Sequence, residues 1–224
     1  MKKECFLIAL MVTCLLLVQC KQNIESYNGH EYVDLGLSVK WATCNIGADS
    51  IEGFGDYFAW GEIIPKRNYN WSRYKYGSNK DQLIKYCVSS DYGKDGFIDD
   101  KIVLNPEDDA AVANWGGVWR MPTLEEVQEL INNCTWLWTT QKGVVGYLVI
   151  SNVEGYTDKS IFLPAAGLCS ENKLEYIGEF GLYWSSSLDV IDPYCAYNVR
   201  FASKFVDRVG LGRHCGRSIR PVCP

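Results

Sequence analysis

Between Asn105 and Ile131 the chain spells two helices and a turn that must separate them, which limits the fold more than any other stretch. Asn105 is placed to cap the first helix, and Pro106 suits its opening turn. Glu107, Asp108 and Asp109 then favour the positive end of the helix dipole. Ala110 to Trp115 continues that helix, and Gly116-Gly117 ends it. Thr123 opens the second helix, with Glu126 supplying the other half of a capping box. Leu124, Val127, Leu130 and Ile131 repeat at helical spacing and mark its core face. The link, Trp115-Gly116-Gly117-Val118-Trp119-Arg120-Met121-Pro122-Thr123, is a bend crowded with aromatics.

The remainder reads as short strands and turns, so the predicted class is α+β, with two main helices and long irregular loops. Tyr32–Leu35, Val39–Thr43 and Tyr57–Trp60 are strand candidates punctuated by Gly36, Gly47, Gly53, Gly55 and Gly61. Gly146–Ile150 and Ser160–Leu163 form a predicted hairpin with Glu154-Gly155 near its tip. Tyr183–Ser187 is another strand. In Ala196–Phe201, Tyr197, Val199 and Phe201 share one face while Asn198 and Arg200 share the other. Pro221, near the end of Arg217–Val222, predicts an edge position. Residues 62–104 carry no periodic pattern and are expected to be irregular.

Residues 1–19 have the pattern of an export signal. Met1-Lys2-Lys3-Glu4 is a charged start, and Cys5–Val18 is an apolar run shorter than the roughly 20 residues a bilayer span needs. Leu17-Val18-Gln19-Cys20 resembles a lipobox, which makes Cys20 the expected lipid attachment site; Gln19 departs from the usual small residue there. The alternative is an uncleaved hydrophobic anchor. Residues 20–29 are a short tether, and residues 30–224 read as one domain.

A net charge of −5 and the lack of a basic stripe argue against nucleic acid as a partner. Seven cysteines follow Cys20 (44, 87, 134, 169, 195, 215 and 223), an odd number without CxxC or zinc-ribbon spacing, so at least one thiol stays free or pairs between chains. The acidic cluster Asp91, Asp95, Asp99, Asp100 fails the EF-hand template, because Gly93 and Ile102 occupy ligand places, and a solvated loop is expected. Neither a metal nor a cofactor is called for.

Several phrases together resemble the Fibrobacter succinogenes major paralogous domain family. They are Tyr32–Asn45, Gly55–Glu62, Asp108–Ala111, Trp119–Thr123, Ile161–Gly167, Tyr183–Ser187 and Gly216–Val222, in family order over nearly all of 30–224. The resemblance implies a C-type-lectin-like, formylglycine-generating-enzyme-like fold on a Gram-negative cell surface, often on an outer-membrane lipoprotein. Family members near diversity-generating elements use a C-terminal stretch like Trp184–Arg217 as a variable ligand surface, which the resemblance implies for the matching positions here. The resemblance carries no general activity with it.

Catalytic patterns are sparse. His30 and His214 are the two histidines, and HExxH and GxSxG are absent. Cys215 and Cys223 fall where related oxidases keep a cysteine pair, without that enzyme's surrounding motif. Arg120 and Arg220 sit in apolar phrases and are expected to hold a carboxylate or a group of carbonyls. Binding is the better-supported expectation. Trp71, Tyr74, Trp184, Tyr194, Asn198 and Arg200 are the candidate contacts for an extracellular glycan or protein, since aromatic faces beside Asn and Arg join contact area to directional hydrogen bonds. A thiol-dependent enzyme and a structural subunit of a surface fibre are the alternatives.

Overall fold

The computed structural model describes residues 25–224. The export signal, Cys20 and the first part of the tether lie outside them. The chain starts with β1 (Glu25–Tyr27), β2 (His30–Val33) and β3 (Lys40–Ala42). The tether expected up to residue 29 therefore yields to a strand at Glu25. The cause is local: Asn28 and Gly29 both take positive φ, 50° and 82°, the turn an Asn-Gly pair makes between paired strands.

Residues 43–105 hold no longer element than short 3₁₀ turns at Trp71–Arg73 and Lys94–Gly96. The first helix is shorter than predicted. Pro106–Asp108 forms a 3₁₀ turn, and α1 (Ala110–Trp115) begins only after Asp109. Asp109, rather than Asn105, is the N-cap, accepting from Ala111 N and Val112 N. It also accepts from Met121 N at 2.9 Å, so one carboxylate ties the helix start to the aromatic bend. The 3₁₀ turn swings Asp108 inward, where Tyr76, Tyr86, Lys75 and Lys85 donate to it. Burial disfavours its charge, but those hydrogen bonds outweigh burial and hold its carboxyl down at about 2. Asp108 is thus a buried hub and not a dipole partner.

Gly116 and Gly117 end α1 at φ 66° and 63°. A Cβ on Gly117 would also lie 2.6 Å from the Tyr27 ring, so the turn is closed against the first strand. The second helix, α2 (Leu124–Asn133), has the predicted capping box between Thr123 and Glu126. Arg120 grips Glu126 with two bonds of 2.7 and 2.5 Å, which is the carboxylate its apolar setting required.

Then come β4 (Cys134–Gln141), β5 (Val144–Ser151), β6 (Ser160–Pro164), β7 (Leu168–Ser170), β8 (Lys173–Glu175), β9 (Gly181–Leu188), β10 (Cys195–Ala202), β11 (Phe205–Gly212) and β12 (Val222–Cys223). They pair antiparallel in four small sheets, ordered β1-β2-β3-β12, β4-β5-β6, β11-β10-β9 and β7-β8. The β5–β6 pair is the predicted hairpin; β12, just after Pro221, comes last in its sheet order, but its outer side is not bare, because Val222 also bridges Arg120. The architecture is α+β. No helix among the described residues is long and apolar enough to cross a membrane.

All eight residues of β9 are buried, because the strand divides two cores. Trp184 points into one, with Phe58, Trp60, Trp119 and Ile219. Tyr183 points into the other, with Trp41, Tyr147, Val199 and Phe201. Arg220 locks the two together. Its guanidinium donates to Asn45 Oδ1 (2.9 Å), Ala42 O (3.1 Å), Thr43 O (2.8 Å) and Phe162 O (3.0 Å), the carbonyl cluster expected around it.

Candidate ligand-binding surface

Of the six candidate contacts, three are interior and three reach solvent. Trp184 is fully buried, donates its indole N–H to Phe58 O at 2.8 Å, and lies under the Arg217 guanidinium 4.0 Å from its ring centre. Asn198 is fully buried and donates to Val209 O at 2.7 Å. Tyr74 is buried and donates to Trp60 O at 2.8 Å, and burial pushes its hydroxyl pKa up. None of these three offers side-chain surface to a ligand. The alternation that put Asn198 beside Arg200 on one face is real, but at Asn198 that face is roofed. Ala196 and Trp184, its neighbours there, belong to the first core. A period-two pattern marks faces and does not say which of them is covered.

Arg200 sits at the uncovered end of the same face. It forms a two-point ion pair with Asp207, 3.0 and 2.6 Å, and lies 5.2 Å over the Phe205 ring. It borders a groove of about 230 Å³ lined by Leu168, Tyr176, Phe180, Leu182 and Leu211. Tyr176 is 49% exposed and Phe205 39%, so aromatic edges stand in solvent around an apolar floor. Tyr176, Phe180 and Leu168 were not among the sequence candidates; Tyr176-Ile177-Gly178-Glu179-Phe180 carries no periodicity that would have marked it.

Trp71 follows Asn70, whose side chain caps the Trp71–Arg73 turn by accepting from Arg73 N at 3.1 Å. Its indole stacks on His214, 4.5 Å between centres and 28° from parallel. Burial, assisted by Arg217 and Lys66, pushes His214 down to about 4, so the imidazole is neutral near pH 7. Tyr194 packs on Tyr92 at 5.5 Å, and Tyr92 donates to Asp192. Arg213 links the two neighbourhoods. Its backbone N–H bonds Tyr194 O at 3.1 Å, and its guanidinium lies 5.4 Å from the Tyr74 ring. Neither Trp71 nor Tyr194 lines the groove that holds Arg200.

The chemistry-bearing groups found elsewhere have structural partners. Ser185 donates to Tyr197 O, Ser186 to Pro122 O, and Ser187 accepts from Leu124 N. Asp99, in the acidic loop, accepts from Tyr86 N and Cys87 N. No cluster of His, Cys, Asp and Glu that could hold a metal occurs among the described residues. The seven cysteines of the described residues are free thiols. Cys215 Sγ lies 3.5 Å from His214 Nε2 in a turn, while Cys223 belongs to β12, opposite Lys40 of β3. Burial pushes both thiols up, away from the ionised form a nucleophile needs. A second recess of about 470 Å³ involves His30, which stacks on Trp115 at 3.8 Å, with Glu31, Thr43, Cys44 and Asp49 around it. No local signal joins those residues, which come from three separate stretches.

No family model, no curated protein and no solved structure matches this chain.

Proposed function

We propose that the protein is a non-catalytic cell-envelope lipoprotein, held at the outer membrane through Cys20, whose C-type-lectin-like domain binds an extracellular glycan or protein. The observation that carries this reading is the groove at Arg200. An apolar floor edged by Tyr176 and Phe180 takes a flat ring or an apolar side chain, and the guanidinium adds directional donors at the rim. The sequence phrases that resemble the paralogous-domain family support the envelope setting and the lectin-like scaffold. Glycan arrays and pull-downs on the 21–224 fragment test it, with Tyr176→Ala and Arg200→Ala as paired variants. Retention by a ligand that both variants weaken supports the reading. Turnover of a substrate without retention of any ligand overturns it.

The Cys215–His214 contact favours one second reading, a thiol-dependent enzyme. Its test is iodoacetamide labelling read by intact mass. Selective fast labelling of Cys215 near neutral pH supports an enzyme, and labelling no faster than an ordinary thiol rejects it.

A further inference from the structure

Strand β11 is the outer strand of its sheet, bonded to β10 along all eight residues from Phe205 to Gly212. On its other side, among the described residues, no backbone group bonds Phe205–Leu211. An antiparallel strand directs every second N–H and C=O away from its partner, so β11 presents a row of open donors and acceptors. The opposite edge of the same sheet is closed. Trp184 N bonds Ser218 O, Ser186 N bonds Pro122 O, Leu104 N bonds Ser186 O and Leu188 N bonds Ile102 O.

Each face of β11 adjoins a groove. On the face carrying Leu211 lies the apolar groove with Leu182 and Phe180. On the face carrying Arg208 lies a polar groove of about 500 Å³ against α2, with Glu125, Gln128, Glu129 and Asn132. Glu125 has no ion pair among the described residues, and Glu129 bonds Ser38. Two carboxylates against one guanidinium leave this groove acidic. A strand added beside β11 alternates its side chains between the face that carries Leu211 and the face that carries Arg208, where Glu125 and Glu129 stand.

We propose that the open edge of β11 is a docking site for an extended peptide segment of a partner protein, with apolar residues at one alternation and basic residues at the other. Backbone hydrogen bonds supply the common attraction, and the two faces of β11, one apolar at Leu211 and one acidic beside Arg208, select the side chains. The proposal goes beyond the Arg200 reading, because it rests on the strand edge. A glycan held only in the apolar groove leaves the β11 amides exchanging as before.

The test uses the purified full-length protein and a dye-labelled ten-residue peptide of alternating Val and Lys, against the same peptide with Glu for Lys. The expected result is binding of the Val-Lys peptide at least tenfold tighter, with slowed hydrogen exchange confined to alternate amides of 205–212. N-methylation of one alternation of the peptide abolishes binding, and N-methylation of the other leaves it nearly unchanged. Glu125→Gln, an exposed change that puts no positive charge at the start of α2, weakens the Val-Lys peptide by about threefold, the scale of one exposed charge pair. Equal loss from both N-methyl series overturns the proposal, as does absence of any preference for lysine. So does a dimer of the protein that protects β11 by itself, which would make a second copy the occupant.

Discussion

The β9–β10–β11 sheet has two edges and treats them oppositely. Along β9 the chain spends irregular segments around residues 102–104, 122 and 218 on sealing the strand, and every side chain there is interior. Along β11 nothing similar happens, and the side chains are half-buried or exposed. The two edges are separated by one strand, so the contrast reflects which distant segments return to each. Stability concentrates at the sealed edge, and freedom to recognise something else is left at the open one.

The largest test of this contrast is Trp184→Ala. It empties the centre of the first core and removes the bond to Phe58 and the support of Arg217. The expected loss is about 3–5 kcal/mol by urea denaturation. A loss under about 1 kcal/mol would break the assignment of stability to the sealed side. Next is Asp109→Ala, which strands the N–H groups of Ala111, Val112 and Met121. About 2 kcal/mol should be lost, with the helix signal in circular dichroism melting earlier.

The third test is pH. His214 is held neutral, its pKa lowered from 6.5 to about 4. Between those values the unfolded chain binds a proton that the folded one refuses, so stability falls as pH drops from about 6.5 to about 4. The melting temperature followed over that window should decline, and His214→Gln should flatten the decline. Acid denaturation from Asp108 is separate, because its stabilisation is present above pH 3.8 and is lost only as pH falls towards about 2.

The smallest effect on stability is expected at the open end. Arg200→Ala removes a partly exposed ion pair with Asp207 and should change unfolding free energy by no more than about 0.5–1 kcal/mol. Its loss should appear in ligand retention instead. A large destabilisation would show that the groove is a structural element and erase the distinction from the sealed side.

Much of the local structure was legible in the chain. Thr123 and Glu126 announced the capping box, Gly116-Gly117 the helix end, and the apolar runs around Glu154-Gly155 the hairpin. The burial of Arg220 among carbonyls followed from its apolar neighbours. The candidate surface was legible only in part. Asn198 and Arg200 share a face as their spacing required, yet one is roofed and the other is open. Tyr74 and Trp71 lie three residues apart in one polar stretch, and one faces Trp60 while the other stacks on His214.

Hydrogen-bonded caps, positive-φ turns and side-chain periodicity act within a few residues, and the sequence alone determined the Thr123–Glu126 capping box, the Gly116-Gly117 stop and the β5–β6 hairpin. Which sheet face meets solvent, and which edge is left bare, came from tertiary structure. Those outcomes depend on segments far away along the chain, as when Phe58 receives the indole N–H of Trp184 across 126 positions. Burial is a property of what returns to cover a residue, and no local spacing encodes it.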